Sequence, residues 1–296
     1  MADYIPNETV KNSENVVIPN GFRRIGNQAF YYSDNLRSVV IPQGVEDIDD
    51  RAFGGCANLT SVSLPDGLKR IGDYAFCECR SLCEINIPAS VEVIEYGAFF
   101  STALKEVVLP VRMKRLEPAF AGIPSLESIR VPKLLSEQPS NINPMCFSGC
   151  SALKEIPIFE GFEMIETSSF HGCSSVTSIV VPEGVDTIEE LAFAFCSSLT
   201  SVTLPQTLRV IEERAFFECS SLESIVIPKL VRYIGEEAFS GCSSLKLIDI
   251  PKSVKVIRYK AFDGCDSLTI RASRWSAAAK YARENKNKLS LKSFFG

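Results

Sequence analysis

Cysteine is the residue type in this chain with the clearest capacity for chemistry, and eight cysteines recur at one fixed place. Each follows a phenylalanine by three residues, as in AFSGCSSL at 238–245 and AFDGCDSL at 261–268. Such a series could bind zinc, form disulfides or supply nucleophilic thiolates. The series consists of Cys56, Cys79, Cys150, Cys173, Cys196, Cys219, Cys242 and Cys265.

Each of these chemical interpretations conflicts with the regularity of the series. A zinc site needs four ligands that converge on one point, and a disulfide needs Cβ atoms about 3.5–4.5 Å apart that face each other. Equivalent positions of stacked repeats instead give parallel side chains about 4.8 Å apart. A thiolate needs a base, and the only histidine, His171, cannot serve eight sites. Because Ser33, Thr102 and Ile123 fill the same position elsewhere, the sequence predicts a small, buried, weakly donating side chain at a tight corner.

The other reactive side chains either stand alone or repeat. Cys77 and Cys146 lie outside the series, as does Cys83, which we expect on the solvent side of a strand as the best candidate for a reactive thiol. His171 has no second ligand or nucleophile beside it, which favours a surface residue. Paired carboxylates can hydrolyse glycosides, but their recurrence favours solvated turn starts; the pairs are Asp49-Asp50, Glu189-Glu190, Glu212-Glu213 and Glu236-Glu237. With no nucleotide-binding, zinc-protease or hydrolase motif, the sequence predicts no catalytic residue, no metal and no cofactor.

A regular period connects these residues to the elements that must position them. Proline and phenylalanine each recur at steps of mostly 23 residues, for example Pro182, Pro205 and Pro228, or Phe193, Phe216 and Phe239. One unit reads L-x-x-I-x-I-P-x-x-V-x-x-I-x-x-x-A-F-x-x-C-x-x, and the chain holds about eleven copies. A repeat of this length predicts stacked supersecondary units that share one core rather than two ordinary domains.

The residue pattern inside one unit predicts its local structure. In LESIVIP at 222–228, Leu222, Ile225 and Ile227 alternate with Glu223 and Val226, as in a β-strand with one buried face. Proline ends that strand, V-x-x-I continues as a second extended piece, and GEEAF at 235–239 suits one helical turn. The fold class predicted is a mainly β solenoid with short helical turns and a parallel sheet on its concave face.

This repeat resembles the BspA-like leucine-rich repeat family over about residues 16–270. The resemblance implies a leucine-rich repeat solenoid at 16–270, preceded by a lead-in at 1–15. It also implies a C-terminal cap and basic tail at 271–296. Members of that family are surface and adhesion proteins of bacteria and some protozoan parasites, which implies adhesion as one function for this chain.

The outward strand positions are the predicted partner-binding surface, because repeat solenoids bind along their extended concave sheets. A long shallow surface suits protein or peptide rather than a small molecule. Thr, Ser and Val are also simply good strand residues, and this alternative stays open. The candidate residues are Arg37, Val40, Lys105, Val108, Glu127, Arg130, Thr177, Val180, Thr200, Thr203, Glu223 and Val226.

Two departures from the period mark further places of interest. Residues 133–146 form an insertion rich in Ser, Asn and Pro, which is either part of a binding face or tolerated drift. Residues 252–296 hold eleven Lys and Arg and only three acids. This basic end could contact nucleic acid, a lipid surface or an acidic partner, but a solubilising cap is the favoured interpretation. The cap would be a helix at 276–285 that lays its alanines and Trp275 on the final repeat.

The totals limit the function classes. With a net charge of −5, the whole molecule does not attract nucleic acid by bulk electrostatics. The first residues carry neither a basic segment nor an apolar one, so the sequence as written predicts a cytoplasmic protein, or a secreted one if a leader has been removed. The leading hypothesis is a non-enzymatic scaffold that binds protein or peptide. A secreted or surface-displayed adhesin is the alternative, and an enzyme is disfavoured.

Overall fold

The described repeats form successive turns of a parallel β-solenoid, and we call each such turn a rung. The computed structural model describes residues 3–4, 6, 8–113, 115–131, 144–156, 158 and 161–291. The chain divides into two compact units, one of Met1–Gln138 with Cys146–Leu153 and one of Pro139–Met145 with Lys154–Gly296. Most of the predicted insertion at 133–146 lies outside the described residues.

The strands before the repeat proline build a surface that we call face A. In the first unit they form a three-stranded parallel sheet, Asn15–Val17, Ser38–Val40 and Ser61–Ser63, and a two-stranded one, Glu106–Val108 and Ser128–Arg130. In the second unit one six-stranded sheet contains Ser178–Val180, Ser201–Thr203, Ser224–Val226, Leu247–Asp249, Thr269–Ala272 and Lys288–Leu291. Neighbouring rungs pair in parallel one repeat apart, as in Ser178 with Ser201.

The V-x-x-I segments build a second surface, face B, as predicted. Its strands are two residues long, because only the x-I pair of each segment joins the ladder. In the first unit they are Asp3–Tyr4, Arg24–Ile25, Asp47–Ile48, Arg70–Ile71, Val93–Ile94 and Arg115–Leu116. In the second unit they are Met164–Ile165, Thr187–Ile188, Val210–Ile211, Tyr233–Ile234 and Val256–Ile257.

The Ala-Phe segment closes each rung in what we call the Phe corner. The predicted helical turn takes the form of hydrogen-bonded turns in which every second N–H reaches the next rung. The amides of Glu237, Phe239 and Gly241 bond the carbonyls of Tyr259, Ala261 and Asp263 at 3.1, 2.8 and 2.8 Å. Glu237 accordingly has a left-handed φ of 52°. Because these amides bond carbonyls of the next rung, they cannot make the hydrogen bonds that a continuous helix would need within one rung.

The core of each unit is a set of columns, one column for each apolar position of the repeat. In one rung Leu222, Ile225, Ile227, Val231 and Ile234 are all buried, so the predicted alternation about the strand is confirmed. The phenylalanines stack face to face, with Phe216 and Phe239 centred 5.3 Å apart and inclined by 5°. A single repeat of this length cannot bury its apolar residues alone, whereas the stacked repeats bury them in a continuous core.

Face A is interrupted where one repeat is shortened. Five positions separate Phe99 from Leu104, whereas six separate Phe76 from Leu82. Within the described residues, the rung between strands Ser61–Ser63 and Glu106–Val108 contributes no strand to face A. Face B and the Phe corner continue through the same rung, so the shortened turn disturbs one face only.

The C-terminal cap contains the helix Ala277–Glu284, with Ser276 as its N-cap and Asn285 as its C-cap. Ala278, Ala279 and Ala282 are buried, as predicted for its alanine-rich side, and Tyr281 packs edge-on against Phe262 at 5.7 Å. The prediction that Trp275 lies on the final rung is wrong, because this side chain is 85% exposed. Tyr281 covers the end of the phenylalanine stack instead. A four-residue helix, Glu8–Lys11, occurs near the N-terminus.

Candidate functional site

The cysteine column is a packing feature of the Phe corner. All eleven cysteines are free thiols, and the eight of the series are buried. The thiol of Cys242 donates to the carbonyl oxygen of Phe216 in the preceding rung, with a sulfur–oxygen distance of 3.2 Å. The same bond, at 3.0–3.4 Å, is made by Cys56, Cys79, Cys150, Cys196, Cys219 and Cys265. Each of these seven thiols therefore donates to a different carbonyl, as the predicted weakly donating side chain would.

Burial keeps these thiols protonated. Desolvation raises the pKa of Cys196 from 9.0 to about 12, and it raises the pKa of Cys56, Cys150 and Cys265 to about 12 as well. A nucleophile or a metal ligand must be a thiolate. A raised pKa therefore argues against both roles and in favour of packing.

We expect Cys242→Ala to lower the unfolding temperature by about 2–4 °C, because the change removes a buried sulfur and leaves a carbonyl without its donor. Thermal circular dichroism measures this loss, and Cys83→Ala at an exposed position is the matched control. The pKa of Cys242 is raised in the folded state, so its contribution is complete below pH 9.0 and declines above it. The difference between variant and wild type should narrow accordingly. Equal losses in both variants would contradict the packing assignment.

The cysteines outside the column differ in exposure. Cys83 is exposed, as predicted, whereas Cys77 is half-buried and Cys146 is buried. Desolvation raises the pKa of Cys77, which makes it a weaker nucleophile. Cys83 therefore stays the best candidate for a reactive thiol. His171 is half-buried, with its ring edge-on to Phe195 at 5.2 Å, and desolvation lowers its pKa.

One acidic cluster has the spacing of a metal site but is filled by an arginine. Within the described residues, the only group of three possible ligands within 4.8 Å of one another is Asp50, Asp73 and Glu95. The guanidinium of Arg70 reaches Asp50 at 2.9 Å and Glu95 at 2.5 Å. The Asp73 carboxylate accepts from the backbone amide of Tyr96 at 2.9 Å. These contacts describe an ion-pair network between rungs.

In the second unit, face A brings six of the predicted partner-binding residues together. Val180, Thr203 and Val226 end three successive strands and face solvent, with Val180 69% and Val226 73% exposed. A parallel column lies three residues earlier on the same rungs and consists of Thr177, Thr200 and Glu223. The hydroxyl of Thr200 donates to the Thr177 carbonyl at 2.9 Å, so that column also ties rungs together.

The other six candidates are divided in the first unit. Two of them, Arg37 and Val40, lie on a rung of the three-stranded sheet. The other four lie on the rungs of the two-stranded sheet: Lys105, Val108, Glu127 and Arg130. Arg130 forms an ion pair with Glu106 at 2.7 Å. Glu127 is half-buried, and the remaining five are exposed. The interrupted face therefore presents two separate patches here rather than one continuous column.

A cavity of about 350 Å³ lies beside the exposed column of the second unit. Its walls are Lys154–Ile156 with Ile158 on one side and Thr177–Val180 on the other. The amide of Ile158 bonds the Ile156 carbonyl at 2.9 Å within its own turn. Among the described residues, Ser178–Val180 is the first strand of its sheet.

Stacked 23-residue rungs with two faces of parallel strands and an Ala-Phe corner define the class of leucine-rich repeat solenoids. The family model described as the BspA type leucine rich repeat region matches in six copies at residues 5–127 and 140–269. The chain belongs to this family, whose repeat scaffolds are generally non-enzymatic. None of the helices in the described part of the chain has the length and apolar character that crossing a bilayer requires.

The chain is similar to several solved structures. The chain is 28% identical to a leucine rich cell surface protein from Faecalibacterium prausnitzii A2-165, with a TM-score of 0.57 over 90% of this chain and 80% of that one. The pneumococcal vaccine antigen PcpA is 21% identical, with a TM-score of 0.67 over 98% and 83%. A leucine-rich repeat protein from Bacteroides ovatus ATCC 8483 is 26% identical, with a TM-score of 0.47 over 94% and 92%. A comparison with curated protein sequences found no match.

Proposed function

We propose that this chain is a non-enzymatic scaffold that binds protein or peptide on face A of its second unit. The observation that carries this proposal is the column Val180–Thr203–Val226, in which two valines on one flat face leave most of their surface in water. Complete burial of a valine side chain contributes about 1.5–3 kcal/mol. The column rests on paired strands, so a partner would bind it without ordering the backbone first.

The end strand of this sheet, Ser178–Val180, indicates how such a partner could bind. An extended peptide can add a strand to an exposed sheet edge, with main-chain hydrogen bonds for affinity and alternate side chains for specificity. The edge of Ser178–Val180 adjoins both the cavity and the exposed Val180. The favoured partner is therefore a polypeptide with an extended segment that carries apolar side chains on one face.

Display at the cell surface, with an adhesive function, is the second candidate. It is favoured by the 28% identical relative, which is described as a leucine rich cell surface protein. Treatment of intact host cells with a protease that cannot enter them tests this candidate. Loss of the protein from intact cells supports surface display, and its complete protection contradicts it.

Replacing Val180 and Val226 together with arginine is expected to weaken partner binding at least about 10-fold, because the change removes apolar contact and places two charges in the interface. The partner is first isolated from the native host with the wild-type chain and then titrated against purified variants. Val111→Arg, at an exposed valine outside face A of the second unit, is the matched control. Unchanged affinity of the double variant, with native circular dichroism, would remove face A as the binding surface.

A further inference from the structure

The charge of one face B column changes sign along the second unit. Its rungs present Glu163, Asp186, Arg209, Arg232 and Lys255 at equivalent positions. The amide of Arg209 bonds the Asp186 carbonyl at 2.7 Å, that of Arg232 bonds Arg209 at 2.8 Å, and that of Lys255 bonds Arg232 at 2.9 Å. Three exposed cations therefore stand on consecutive rungs, about 4.8 Å apart at the backbone.

A second column beside it follows the same trend. The residues directly after the repeat proline are Glu183, Gln206, Lys229 and Lys252. We use the name basic strip for Arg209, Lys229, Arg232, Lys252, Lys255 and Arg258. Among the described residues, no carboxylate forms an ion pair with any of the six, and the neighbouring acids Glu213 and Glu237 instead bind Arg214.

The basic strip is bordered by apolar and aromatic side chains that point into water. Tyr259 is 64% exposed and follows Arg258 directly, while Leu230 is 40% exposed between Lys229 and Arg232. Asp249 pairs in register with Arg271, so Arg274 is the counterpart of Lys252 on the next rung. Trp275 follows it, with the Arg274 guanidinium 5.7 Å from the centre of its ring.

The solubilising-cap interpretation does not account for this arrangement. A polar cap must cover the end of the stack, whereas Arg209 and Lys229 lie on earlier rungs of the side surface. Like charges on neighbouring rungs repel one another, and an exposed tryptophan reduces solubility. A partner that offers anionic groups above an apolar layer would stabilise both features together.

We propose that the basic strip, with Tyr259 and Trp275, docks this chain on an anionic lipid surface. Cations near such a surface are attracted to its phosphate and carboxylate groups, and Trp and Tyr settle at the level of the headgroups. A single nucleic acid strand needs aromatic faces free for stacking. The rings of Tyr233 and Trp275 instead have the guanidinium groups of Arg258 and Arg274 over them, at 5.8 and 5.7 Å.

The chain carries its own probe for this proposal, because Trp275 is its only tryptophan. We expect its emission to shift to shorter wavelength with vesicles that contain about one-third phosphatidylserine, and to stay unchanged with pure phosphatidylcholine. High salt should reverse the shift, because it screens exposed charges. An equal response to both vesicle types would overturn the electrostatic basis of the proposal.

Charge reversal tests whether the basic strip provides the binding. The variant Arg209→Glu with Arg232→Glu and Lys255→Glu should bind anionic vesicles at least about 100-fold more weakly in co-sedimentation. The control, Lys105→Glu with Arg112→Glu and Lys246→Glu, changes the net charge equally at exposed sites elsewhere and should bind as the wild type does. Equal binding by both variants would overturn the assignment. Binding to heparin or a DNA oligonucleotide without binding to vesicles would replace the lipid surface with a soluble polyanion.

Discussion

Replacing Phe216 with alanine is expected to lower the free energy of unfolding by about 3–5 kcal/mol. The ring is fully buried between those of Phe193 and Phe239, at centroid distances of 5.4 and 5.3 Å. A missing ring leaves a cavity that the rungs cannot close, because the backbone ladders of both faces and the corner hold them at a fixed spacing. Urea denaturation of purified variants measures the loss.

The adjacent residue supplies the control for this substitution. Phe217 is half-buried, with an edge-on contact to Phe195 at 5.4 Å and the Arg214 guanidinium 5.8 Å from the centre of its ring. Phe217→Ala removes the same number of atoms from the same corner and should cost about 1 kcal/mol. If the two variants lost equal stability, the stacked phenylalanines would not be the main source of cohesion between the rungs.

The second large effect is expected at Gly235, where alanine should destabilise the fold by about 1–3 kcal/mol. A Cβ atom at this position would lie 2.4 Å from the carbonyl carbon of Glu212 and 2.5 Å from the amide nitrogen of Glu213. Equivalent positions carry larger residues such as Glu189, so the clash reflects an unusually close approach of two rungs. The substitution must push these rungs apart, and thermal unfolding monitors the loss.

Gly67→Ala is the matched change, because a Cβ atom there meets nothing within 4 Å. Alanine has less freedom than glycine in the unfolded chain, so this variant should be as stable as the wild type or more stable by about 0.4–1 kcal/mol. The two alanine variants thus have opposite expected signs. A stable Gly235→Ala protein would show that neighbouring rungs can separate locally at little cost.

The repeat made most of the fold predictable from the sequence. A 23-residue period fixes which residues share a column, and alternation about the proline fixes which columns are buried, so Leu222, Ile225 and Ile227 could be assigned to the core. The period also identified the cysteines as packing residues. It could not identify the Phe216 carbonyl as the acceptor of the Cys242 thiol, because that contact joins the equivalent corners of two rungs at a distance that only the backbone path determines.

The surface was less predictable than the core. Trp275 was expected on the final rung, but Tyr281 takes that place and leaves the indole in water. The basic strip does not follow from the charge of residues 252–296, because Arg209, Lys229 and Arg232 join the later cations only when the chain is arranged in columns. The same 23-residue period, applied to charge column by column, predicts it.

The interruption of face A shows that several separate sets of contacts hold neighbouring rungs together. Neighbouring rungs are braced by three separate hydrogen-bonded columns, so a length change that disables one column leaves two in place. At the shortened repeat, Arg70 and Ile71 still pair with Val93 and Ile94 on face B, and the Phe76 amide still bonds the Ala98 carbonyl at 2.8 Å. Because of this redundancy, the stability of the stack does not depend on the surface that is proposed to bind a partner. The surface proposed to meet a partner can therefore gain or lose residues over evolutionary time while the remaining columns keep the stack intact.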